Sequence, residues 1–591
     1  MGKLDITIEI CGMSGDGTIA AGGLLNTAMS RAGWSVLAFD SYPAEIRGFG
    51  RCVTRSRFGE TKQIALEDST DVLISLDDKQ SLSRIPFLAD DAVVLFDNKP
   101  SAHLAEGESI AAHVAPGMAL YGAPFLDLAS SASGSGKGRN LAALGALAAI
   151  YNLPLDYFRE VIAAKFKSKG DRVVEANHKS FDAGWEYARE QFADRIRGIP
   201  IPGTAGEEPE KLLLSGNVAI AEGALAANVK SYFGYPITPA TPIMEYLAGK
   251  LPERDGRVVQ MEDEISAIGA VLGSFFAGTR AMTATSGPGF ALMTELITHG
   301  VMSETPAVIV DAQRGGPATG LPTKTEQSDL LAAVFGGPGD SARIVIAPTD
   351  VTECYHYTAK SFRLAEKYQT PVIILTDFFL DNRVENLVRP TSRPGDIEDG
   401  NVYPAIADRW NYHRYRLTES GISPRALPGM EGYIFPATGL EHRQEGVPDF
   451  SPENHMVMSQ KRRTKILSAL ADLESPVEYA DPGRLDVGVI SWGSSFGAAL
   501  DAVNTAREQG LRVGALKVTT MYPYHAEEIR AFMSRCQEIL IPELNLSGQL
   551  ATLIGHLFPK DVIRLNMVTG IPIYPSVILV KIREIIGVQG R

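Results

Sequence analysis

The loop-forming segment at residues 234–243 constrains the fold of this chain more than any other short stretch. Its sequence, Gly-Tyr-Pro-Ile-Thr-Pro-Ala-Thr-Pro-Ile, holds three prolines, which exclude a helix interior or a central strand. A strand-like run at 229–233 precedes it, and a helix-like run at 243–250 follows it. The pattern predicts a rigid loop at the carboxyl end of a strand, where open α/β sheets bind ligands.

Size and charge exclude several classes of protein. A chain of 591 residues is too long for one hydrophobic core, and 45% apolar with 21% charged residues is typical of a globular protein. No run of about 20 apolar residues is present, so no membrane span is predicted. The net charge of −14 argues against nonspecific nucleic-acid binding. Neither a membrane nor a nucleic acid is therefore an expected partner.

The four cysteines, Cys11, Cys52, Cys354 and Cys536, lie far apart in the sequence. They do not resemble a disulfide framework, and a reducing cytoplasm is the expected location. No Cys-x-x-Cys spacing occurs, so this chain alone is not expected to hold an iron–sulfur cluster. No metal ligand is predicted within it.

Strand-like and helix-like runs alternate in three parts of the chain, which predicts three α/β domains with mostly parallel sheets. The first domain, residues 1–196, precedes a linker rich in proline and glycine at 197–211. A second α/β domain is predicted at 212–390 and a third at 481–591. Between these two, residues 391–480 are expected to form a long, largely irregular connecting segment with one helix.

A glycine-rich turn follows the first predicted strand. Gly12, Gly15 and Gly17 precede a helix-like run, where backbone N–H groups and the helix dipole can bind phosphate oxygens. Asp40 ends the next predicted strand, near the place where a dinucleotide fold has its ribose-binding acid. The glycine spacing differs from the dinucleotide fingerprint. A tight turn, a phosphate-ester site and a dinucleotide site all remain open.

An acidic cluster, Glu262, Asp263 and Glu264, precedes an apolar helical pattern. The helical repeat places Glu264 on the same face as Ile268 and Phe275. Burying an unpaired carboxylate is costly. The alternatives are therefore a carboxylate used in chemistry and a first-turn Glu favoured by the helix dipole, with Asp263 as N-cap.

Two glycine-containing turns follow later strands. The first is Ser-Gly-Pro-Gly at 286–289, and the second is Gln-Arg-Gly-Gly-Pro-Ala-Thr-Gly-Leu-Pro-Thr at 313–323. Glycine leaves room for a ligand beside the backbone, and Arg314 is suited to bidentate recognition of a carboxylate. Packing geometry for the first turn, and a solvated or ion-paired arginine for the second, are the alternatives.

Together these motifs resemble the thiamine-diphosphate-dependent 2-oxoacid:ferredoxin oxidoreductases. The similar segments are Tyr-Pro-Ile-Thr-Pro at 235–239, Asp-Glu-Ile-Ser-Ala-Ile-Gly-Ala-Val-Leu-Gly at 263–273, and the Gln-Arg loop. Tyr-Pro-Ala-Glu-Ile-Arg-Gly at 42–48 is similar to a loop of the family's small subunit, although Phe49 interrupts the usual pair of glycines. The chain is identified as an α subunit with a fused N-terminal γ-type domain. The resemblance implies that 212–390 is a pyrimidine-binding domain and 481–591 a transketolase-C-terminal-like domain.

The resemblance also implies roles for individual residues. Glu264 is the expected catalytic residue, hydrogen-bonded to N1′ of the aminopyrimidine of thiamine diphosphate. The other expected cofactor-binding residues are Tyr235, Pro236, Ile237, Ser286 and Gly287. Substrate binding is expected at Thr238, Arg314, Thr323 and Lys324. Coenzyme A, the co-substrate, is associated with the γ-type domain in relatives, so Gly12, Gly15 and Gly17 are candidates for coenzyme A or phosphate binding.

One half of the thiamine site is missing from this chain. Thiamine enzymes hold Mg²⁺ and the diphosphate with Gly-Asp-Gly and a downstream Asn, but after Gly15–Asp16–Gly17 the only nearby Asn is Asn26, and the next is Asn98. A β subunit is therefore expected to carry the Mg²⁺, the diphosphate site and a [4Fe–4S] cluster. The chain alone should be inactive. The expected assembly is (αβ)2, and this assembly should pass electrons to ferredoxin.

The expected reaction is oxidative decarboxylation of 2-oxoglutarate with coenzyme A to succinyl-CoA and carbon dioxide, or its reverse. Fused α subunits look most like those acting on 2-oxoglutarate, which is preferred here over pyruvate and branched-chain 2-oxoacids. Lys324 is a candidate for the distal carboxylate. The alternatives from other classes are a non-catalytic scaffold subunit and a dinucleotide-dependent oxidoreductase.

Overall fold

The computed structural model describes residues 5–42, 50–99, 109–202, 211–389 and 397–587. Most of the small-subunit-like loop at 42–48 and of the linker at 197–211 lies outside the described residues. The chain divides into two compact units. Unit 1 comprises Met1–Leu214 and Arg383–Arg389, and unit 2 comprises Ser215–Asn382 and Pro390–Arg591.

The strands of the described residues, in chain order, are β1 (Asp5–Met13), β2 (Ser35–Ser41), β3 (Arg51–Gly59), β4 (Thr70–Ser75), β5 (Leu88–Asp97), β6 (Ala119–Ala123), β7 (Lys211–Ser215), β8 (Ser231–Gly234), β9 (Arg257–Gln260), β10 (Ala281–Thr285), β11 (Ala307–Gln313), β12 (Ile344–Ile346), β13 (Pro371–Asp377), β14 (Val384–Val388), β15 (Val477–Tyr479), β16 (Leu485–Ser491), β17 (Val513–Lys517), β18 (Thr520–Tyr522), β19 (Cys536–Glu543) and β20 (Ile563–Asn566).

The α-helices are α1 (Thr18–Arg31), α2 (Asp78–Ser81), α3 (Phe125–Ser133), α4 (Arg139–Ile150), α5 (Leu155–Phe166), α6 (Asp171–Gln191), α7 (Gly216–Ala226), α8 (Thr241–Lys250), α9 (Glu264–Phe276), α10 (Gly287–Met302), α11 (Leu330–Phe335), α12 (Val351–Tyr368), α13 (Phe378–Asn382), α14 (Pro452–Ser468), α15 (Ser495–Glu508), α16 (Ala526–Ser534), α17 (Gln549–Ile554) and α18 (Pro575–Ile586). Across the part of the chain with described coordinates, each helix is too short or too polar to cross a bilayer.

Unit 1 is built on an eight-stranded sheet in the order β6-β5-β4-β1-β3-β2-β14-β7. β1, β4, β5 and β6 are parallel neighbours, as the strand–helix alternation predicts. β3 instead runs antiparallel between β1 and β2. Helix α4 is buried from Asn140 to Ile150, and its alanines and leucines form the centre of the core of this unit.

The boundary predicted at residue 390 needs correction. The predicted boundary places β14 in the second domain, but β14 pairs antiparallel with β2 of the first sheet, Val384 opposite Ala38 and Glu385 opposite Leu37. The Asn386 side chain accepts a hydrogen bond from the Val36 N–H at 3.0 Å. Because strand pairing joins residues far apart in sequence, a linear division of the chain misplaces this segment.

The second sheet, in unit 2, has the order β18-β12-β13-β11-β10-β8-β9. From β12 to β9 all neighbours are parallel. Their carboxyl ends therefore meet at one edge of the sheet, where α/β proteins bind ligands. Every residue of β10, β11 and β13 is buried, as expected for strands covered on both faces by helices.

The third sheet, also in unit 2, has the order β15-β17-β16-β19-β20, parallel except for β15. The predicted fold class, three α/β domains with mostly parallel sheets, is thereby confirmed, each domain being one layer that consists of a sheet and its helices. β18 leaves the third layer and pairs antiparallel with β12 of the second sheet. The second and third predicted domains consequently form one compact unit.

The long segment between the second and third sheets contains α14. Most of the rest of its described residues are irregular. One of its anchors is the buried carboxylate of Glu304, which follows α10. The Nζ atoms of Lys461 and Lys465 lie 2.5 Å and 2.9 Å from the two Glu304 carboxylate oxygens. Arg414 donates to the Glu304 backbone carbonyl at 2.7 Å. Three cations from the irregular segment and α14 thus converge on one anion of the second layer.

Candidate active site

Four loops meet at the carboxyl edge of the second sheet. They follow β8 (235–240), β9 (261–263), β10 (286) and β11 (314–329). Because these strands are parallel neighbours, their loops lie side by side along one edge. The residues predicted to bind cofactor and substrate in the second domain all fall in these loops or in the first turns of the helices after them.

The proline-rich loop after β8 is fixed by its own backbone. The Ile237 carbonyl accepts hydrogen bonds from the backbone N–H and the hydroxyl of Thr241, both at 3.0 Å. The buried Asn217 side chain donates to the Pro239 carbonyl at 3.1 Å. Tyr235 remains 44% exposed at the start of the loop. The structure therefore confirms a loop at the carboxyl end of a strand, held by hydrogen bonds, with an exposed aromatic side chain.

Glu264 is the first residue of α9. Asp263 is its N-cap, accepting from the Ser266 N–H at 2.8 Å, and the Ser266 hydroxyl completes a capping box. The N-cap alternative is therefore correct for Asp263. Glu264 itself is only 6% exposed, and its carboxylate has no hydrogen-bond partner among the described residues. A buried carboxylate without a partner inside the chain is costly, so the arrangement favours a ligand as its partner.

The Ser-Gly-Pro-Gly turn lies directly against Glu264. A methyl group on Gly289 would be 2.3 Å from one Glu264 carboxylate oxygen and 2.2 Å from the Thr285 hydroxyl. The turn therefore needs glycine at 289 to accommodate the carboxylate. Ser286, the N-cap of α10, makes no capping hydrogen bond, and its buried hydroxyl is unpartnered in the described residues. The Ser286 hydroxyl within the turn and the Glu264 carboxylate beside it therefore both lack protein partners in the described residues.

Arg314 and Thr238, predicted separately from two loops, are in contact. The Arg314 guanidinium donates through Nη1 to the Thr238 backbone carbonyl at 2.7 Å. Its Nε is buried without a partner in the described residues. Burial lowers the pKa of Arg314, while Asp329 opposes that shift. The contact fixes one side of the guanidinium and leaves donors for an anion.

Thr323 and Lys324, unlike Thr238, make no contact with Arg314 through a hydrogen bond in the described residues. The backbone of Lys324 closes the loop, because its carbonyl accepts from the Gly315 N–H at 2.9 Å. Its side-chain methylenes pack against Gly570, where a methyl group would lie 3.1 Å from Lys324 Cβ. Across the described ranges, no hydrogen bond or ion pair joins Lys324 or Thr323 to Arg314 or Glu264. Their substrate roles stay predictions.

Asp329 was not singled out from the sequence, because a polar residue before a short apolar helix is a common N-cap. In the structure its side chain does not cap α11. A methyl group on Gly287 would lie 2.7 Å from one Asp329 carboxylate oxygen. Burial and the nearby Glu326 raise the pKa of Asp329 to about 6, against the effect of Arg314. The 286–289 turn is therefore flanked by two carboxyl groups.

The glycine loop of unit 1 has a different character. Its Asp16 carboxylate accepts from the Met13 N–H at 2.8 Å and pairs with Arg139 at 2.9 Å. The Asn140 side chain donates to the Gly17 carbonyl at 3.0 Å. Gly15 and Gly17 have positive φ, which a tight turn requires. Much of the polar capacity of this loop is satisfied internally, as in a structural turn, and Gly15 alone faces open space.

The comparisons with known proteins agree with this architecture. Residues 7–187 match the family model of pyruvate ferredoxin/flavodoxin oxidoreductase. Residues 222–461 match the thiamine diphosphate-binding domain of pyruvate flavodoxin/ferredoxin oxidoreductases, and 486–572 match core domain II of pyruvate:ferredoxin oxidoreductase. The chain belongs to the 2-oxoacid:ferredoxin oxidoreductase family, as an α subunit.

Two KorA subunits and one solved structure are among the proteins to which the chain is similar. The 2-oxoglutarate synthase subunit KorA of Methanothermobacter thermautotrophicus is 40% identical over 58% of this chain and 89% of its own length. The 2-oxoglutarate oxidoreductase subunit KorA of Mycobacterium tuberculosis is 31% identical over 96% of this chain and 89% of its own length. A solved 2-oxoglutarate:ferredoxin oxidoreductase from Magnetococcus marinus, with 2-oxoglutarate, coenzyme A and succinyl-CoA bound, is 35% identical. It superposes with a TM-score of 0.92 over 98% of this chain and 99% of that one.

The residues present fit the pyrimidine end of thiamine diphosphate. A ring that offers nitrogen atoms to hydrogen bonds needs a carboxylate and polar groups without competing partners. Glu264 and the Ser286 hydroxyl meet that condition in the described residues, and Gly289 leaves the space beside them free of a side chain. The donor set at this edge therefore suits the organic half of the cofactor.

Proposed function

We propose that this chain is the α subunit of a 2-oxoglutarate:ferredoxin oxidoreductase. The reaction converts 2-oxoglutarate and coenzyme A to succinyl-CoA and carbon dioxide and passes two electrons singly to ferredoxin, or runs in reverse. The observation that carries the proposal is the buried carboxylate of Glu264, which has no partner in the described residues and faces the glycine turn at the carboxyl edge of the sheet. The relatives named for 2-oxoglutarate support that substrate over pyruvate and branched-chain 2-oxoacids.

Glu264 holds a proton at the cofactor. Thiamine diphosphate, when bound, supplies the electron sink for loss of carbon dioxide from a 2-oxoacid. The Glu264 carboxyl would share a proton with N1′ of the aminopyrimidine, and its burial beside Gly289 keeps bulk water from that hydrogen bond. Tyr235, the adjoining Pro-Ile pair and the Ser286–Gly287 turn would hold the ring between them.

Arg314 binds the 1-carboxylate of the 2-oxoacid. The Thr238 carbonyl orients the guanidinium by accepting from Nη1, which leaves its other N–H groups for the carboxylate. The Thr238 hydroxyl and Thr323 border the keto group. Lys324 is the proposed partner of the distal carboxylate of 2-oxoglutarate, which requires its side chain to leave Gly570 or the substrate to extend towards it.

A β subunit completes the site with Mg²⁺, the diphosphate-binding motif and a [4Fe–4S] cluster, and the assembly is (αβ)2. The surface of α9 supports this. Glu264 is its only charged residue, and its outward face carries Ile265, Gly269, Gly273 and Phe276. Helices without a polar face are normally covered. The face begins beside Glu264 and borders an apolar cleft of about 360 Å³ between α9, α10 and residues 437–439.

Coenzyme A is the acyl acceptor, and we assign it to the γ-type domain in unit 1. Gly12, Gly15 and Gly17 remain the candidates there. Of these, Gly15 has the open surroundings that an incoming phosphate needs. Gly12 and Gly17 are crowded by Thr18 and Asn140, which makes them structural supports of the turn.

The test is reconstitution. The purified chain is mixed with a β chain that carries the Gly-Asp-Gly…Asn motif and clustered cysteines, with thiamine diphosphate and Mg²⁺. Reduction of a viologen dye is then followed with 2-oxoglutarate or pyruvate, with and without coenzyme A. We expect coenzyme-A-dependent reduction in the mixture only, faster with 2-oxoglutarate. Absence of reduction with every 2-oxoacid in a formed, metal-loaded complex would refute the proposal.

A further inference from the structure

The loop after β11 folds back on itself, and residues 324–331, here called the returning segment, hold the neighbours of Arg314. Three hydrogen bonds make this connection: Gln313 Oε1 accepts from the Asp329 N–H at 2.9 Å, the Gly315 N–H donates to the Lys324 carbonyl at 2.9 Å, and the Gly316 N–H donates to the Glu326 carboxylate at 3.2 Å. The residues before and after Arg314 are therefore both held by the returning segment.

The tip of the loop gives Arg314 no such support. Residues 317–322 are all exposed, whereas residues 325–327 of the returning segment are buried. Beyond the bond from the Arg314 guanidinium to the Thr238 carbonyl, the position of Arg314 therefore depends on what holds the returning segment.

Gln549, the first residue of α17 in the third layer, bonds the returning segment with both ends of its side-chain amide. Its Nε2 donates to the Ser328 carbonyl at 2.6 Å, and its Oε1 accepts from the Leu331 N–H at 2.9 Å. These two bonds lie on either side of Asp329 in the sequence. Because both partners are backbone groups, Gln549 fixes the course of the chain there and not a single side chain.

The turn that precedes Gln549 is itself held in place. Glu543 is fully buried, and its carboxylate accepts from the Leu550 N–H at 2.8 Å. The Asn545 Oδ1 accepts from the Gln549 N–H at 3.1 Å, and the Asn545 Nδ2 donates to the Gln327 carbonyl at 2.9 Å. The third layer therefore presents Gln549 to the returning segment from a backbone that is already fixed.

We propose that Gln549 is a positioning residue for substrate binding: through the returning segment it sets the place of Arg314, and the third layer thereby takes part in recognition of the 2-oxoacid carboxylate. The inference rests on the proposed function, which gives that carboxylate to Arg314. Bidentate recognition needs a guanidinium in a fixed place, and small displacements are costly. Within the described residues Gln549 has no hydrogen bond to Arg314 or Glu264, so its effect is on substrate binding and passes through the backbone.

The test is Gln549→Met in the complete complex, which keeps the length of the side chain and removes both hydrogen bonds. KM for 2-oxoglutarate, kcat, the dissociation constant of thiamine diphosphate and the thermal unfolding midpoint are measured. We expect KM to rise about tenfold, with kcat within about twofold of the parent and cofactor binding unchanged. Gln537→Met, which changes an exposed glutamine of the same layer, is the matched control and should follow the parent.

A double-mutant cycle with Arg314→Lys tests whether Gln549 acts through Arg314. R314K should itself raise KM, because an ammonium group lacks the planar pair of N–H donors. In the R314K background, Q549M should change KM by less than about twofold, since the guanidinium that Gln549 positions is already gone.

Gln549→Glu is a milder variant that keeps an acceptor for the Leu331 N–H and loses the donor to the Ser328 carbonyl. It should raise KM about threefold, less than Q549M. It also replaces Q549M in the cycle if Q549M does not assemble with its partner.

An unchanged KM, or equal fold-changes of KM in the parent and R314K backgrounds, would overturn the inference while turnover shows that the proposed function holds. A fall in kcat or in the unfolding midpoint without a rise in KM would show a packing role only and would also overturn it. Weaker binding of thiamine diphosphate by the same factor as KM would place the effect at the cofactor, with the same consequence. Absence of dye reduction by the parent complex with every 2-oxoacid would instead refute the proposed function.

Discussion

Two buried glutamates of unit 2, Glu304 and Glu264, have opposite surroundings. Glu304 is fully buried and paired with Lys461 and Lys465, and Arg414 binds its backbone. Burial by itself would raise the pKa of Glu304, but these cations lower it below its usual range. Glu264 is nearly as buried and lacks a partner in the described residues.

The presence or absence of compensating cations distinguishes a structural glutamate from a functional one. A buried carboxylate with compensating cations fixes the chain around it, here by anchoring α14 and the irregular segment to the second layer. A buried carboxylate without them raises the free energy of the folded chain until a ligand supplies the missing partner. The same residue type in the same unit therefore serves two purposes, which substitution can tell apart.

The largest expected effect is on catalysis. Glu264→Gln should lower kcat of the reconstituted complex about 10³-fold, because the amide cannot share a proton with the cofactor ring. The thermal unfolding midpoint should equal or exceed that of the parent, because the amide removes the cost of a buried carboxylate without a partner. Glu262→Gln is the matched control and should keep full activity. If E264Q retained parental activity, Glu264 would have no catalytic role, and a scaffold subunit would become the better description.

Substitution of Glu304 tests the glutamate to which we assign a structural role. Glu304→Gln should destabilise the chain by about 3 kcal/mol, because two lysines would be buried without a counter-charge. Urea denaturation of the isolated chain measures the change. Glu175→Gln, which removes a surface partner of Lys179, is the control and should leave the midpoint unchanged. Molecules of E304Q that remain folded should have parental kcat, and a catalytic defect at full stability would break the comparison.

The space around Glu264 can be tested by a single methyl group. Gly289→Ala places Cβ 2.3 Å from the Glu264 carboxylate, which must then move. We expect kcat/KM to fall about 30-fold, a loss of about 2 kcal/mol in transition-state stabilisation. Gly23→Ala in α1, where a methyl group meets no atom within 4 Å, is the control and should be neutral or slightly stabilising. Equal kinetics for G289A and G23A would contradict the assigned geometry.

The smallest effect concerns the unpaired Asp329. Its pKa is raised from 3.8 to about 6 in the folded chain, so the folded state binds its proton more tightly than the unfolded state. The stability of the parent should therefore fall as pH rises from about 4 to above about 6. Asp329→Asn should be more stable than the parent by about 1 kcal/mol at pH 8, after allowance for solvent screening, and equal to it near pH 4. Thermal denaturation at both pH values measures this; an equal difference at both would contradict it.

Much of the fold was predictable from local pattern. The strand, turn and helix order around Thr238, Glu264 and Arg314 follows from alternating apolar runs separated by proline and glycine. The antiparallel β3 and the placement of β14 beside β2 were not predictable, because strand pairing is a long-range property that one sequence does not encode in its periodicity. The sequence pattern predicts the helix of the connecting segment near 458–474, whereas α14 spans Pro452–Ser468, because the Ser451 cap sets its start.

The sequence alone determined the motifs, their order and the missing half of the cofactor site, because these depend on which residues occur at which spacing. Tertiary structure decided which polar groups remain without partners. Glu264, Asp329 and Glu304 look alike as acidic residues near helix ends in the sequence. Only the packed chain shows that two lysines compensate Glu304, that Gly289 makes room for Glu264, and that Asp329 faces the turn at Gly287. Hydrogen bonding and burial are set by residues far away in the chain, so local sequence does not reveal them.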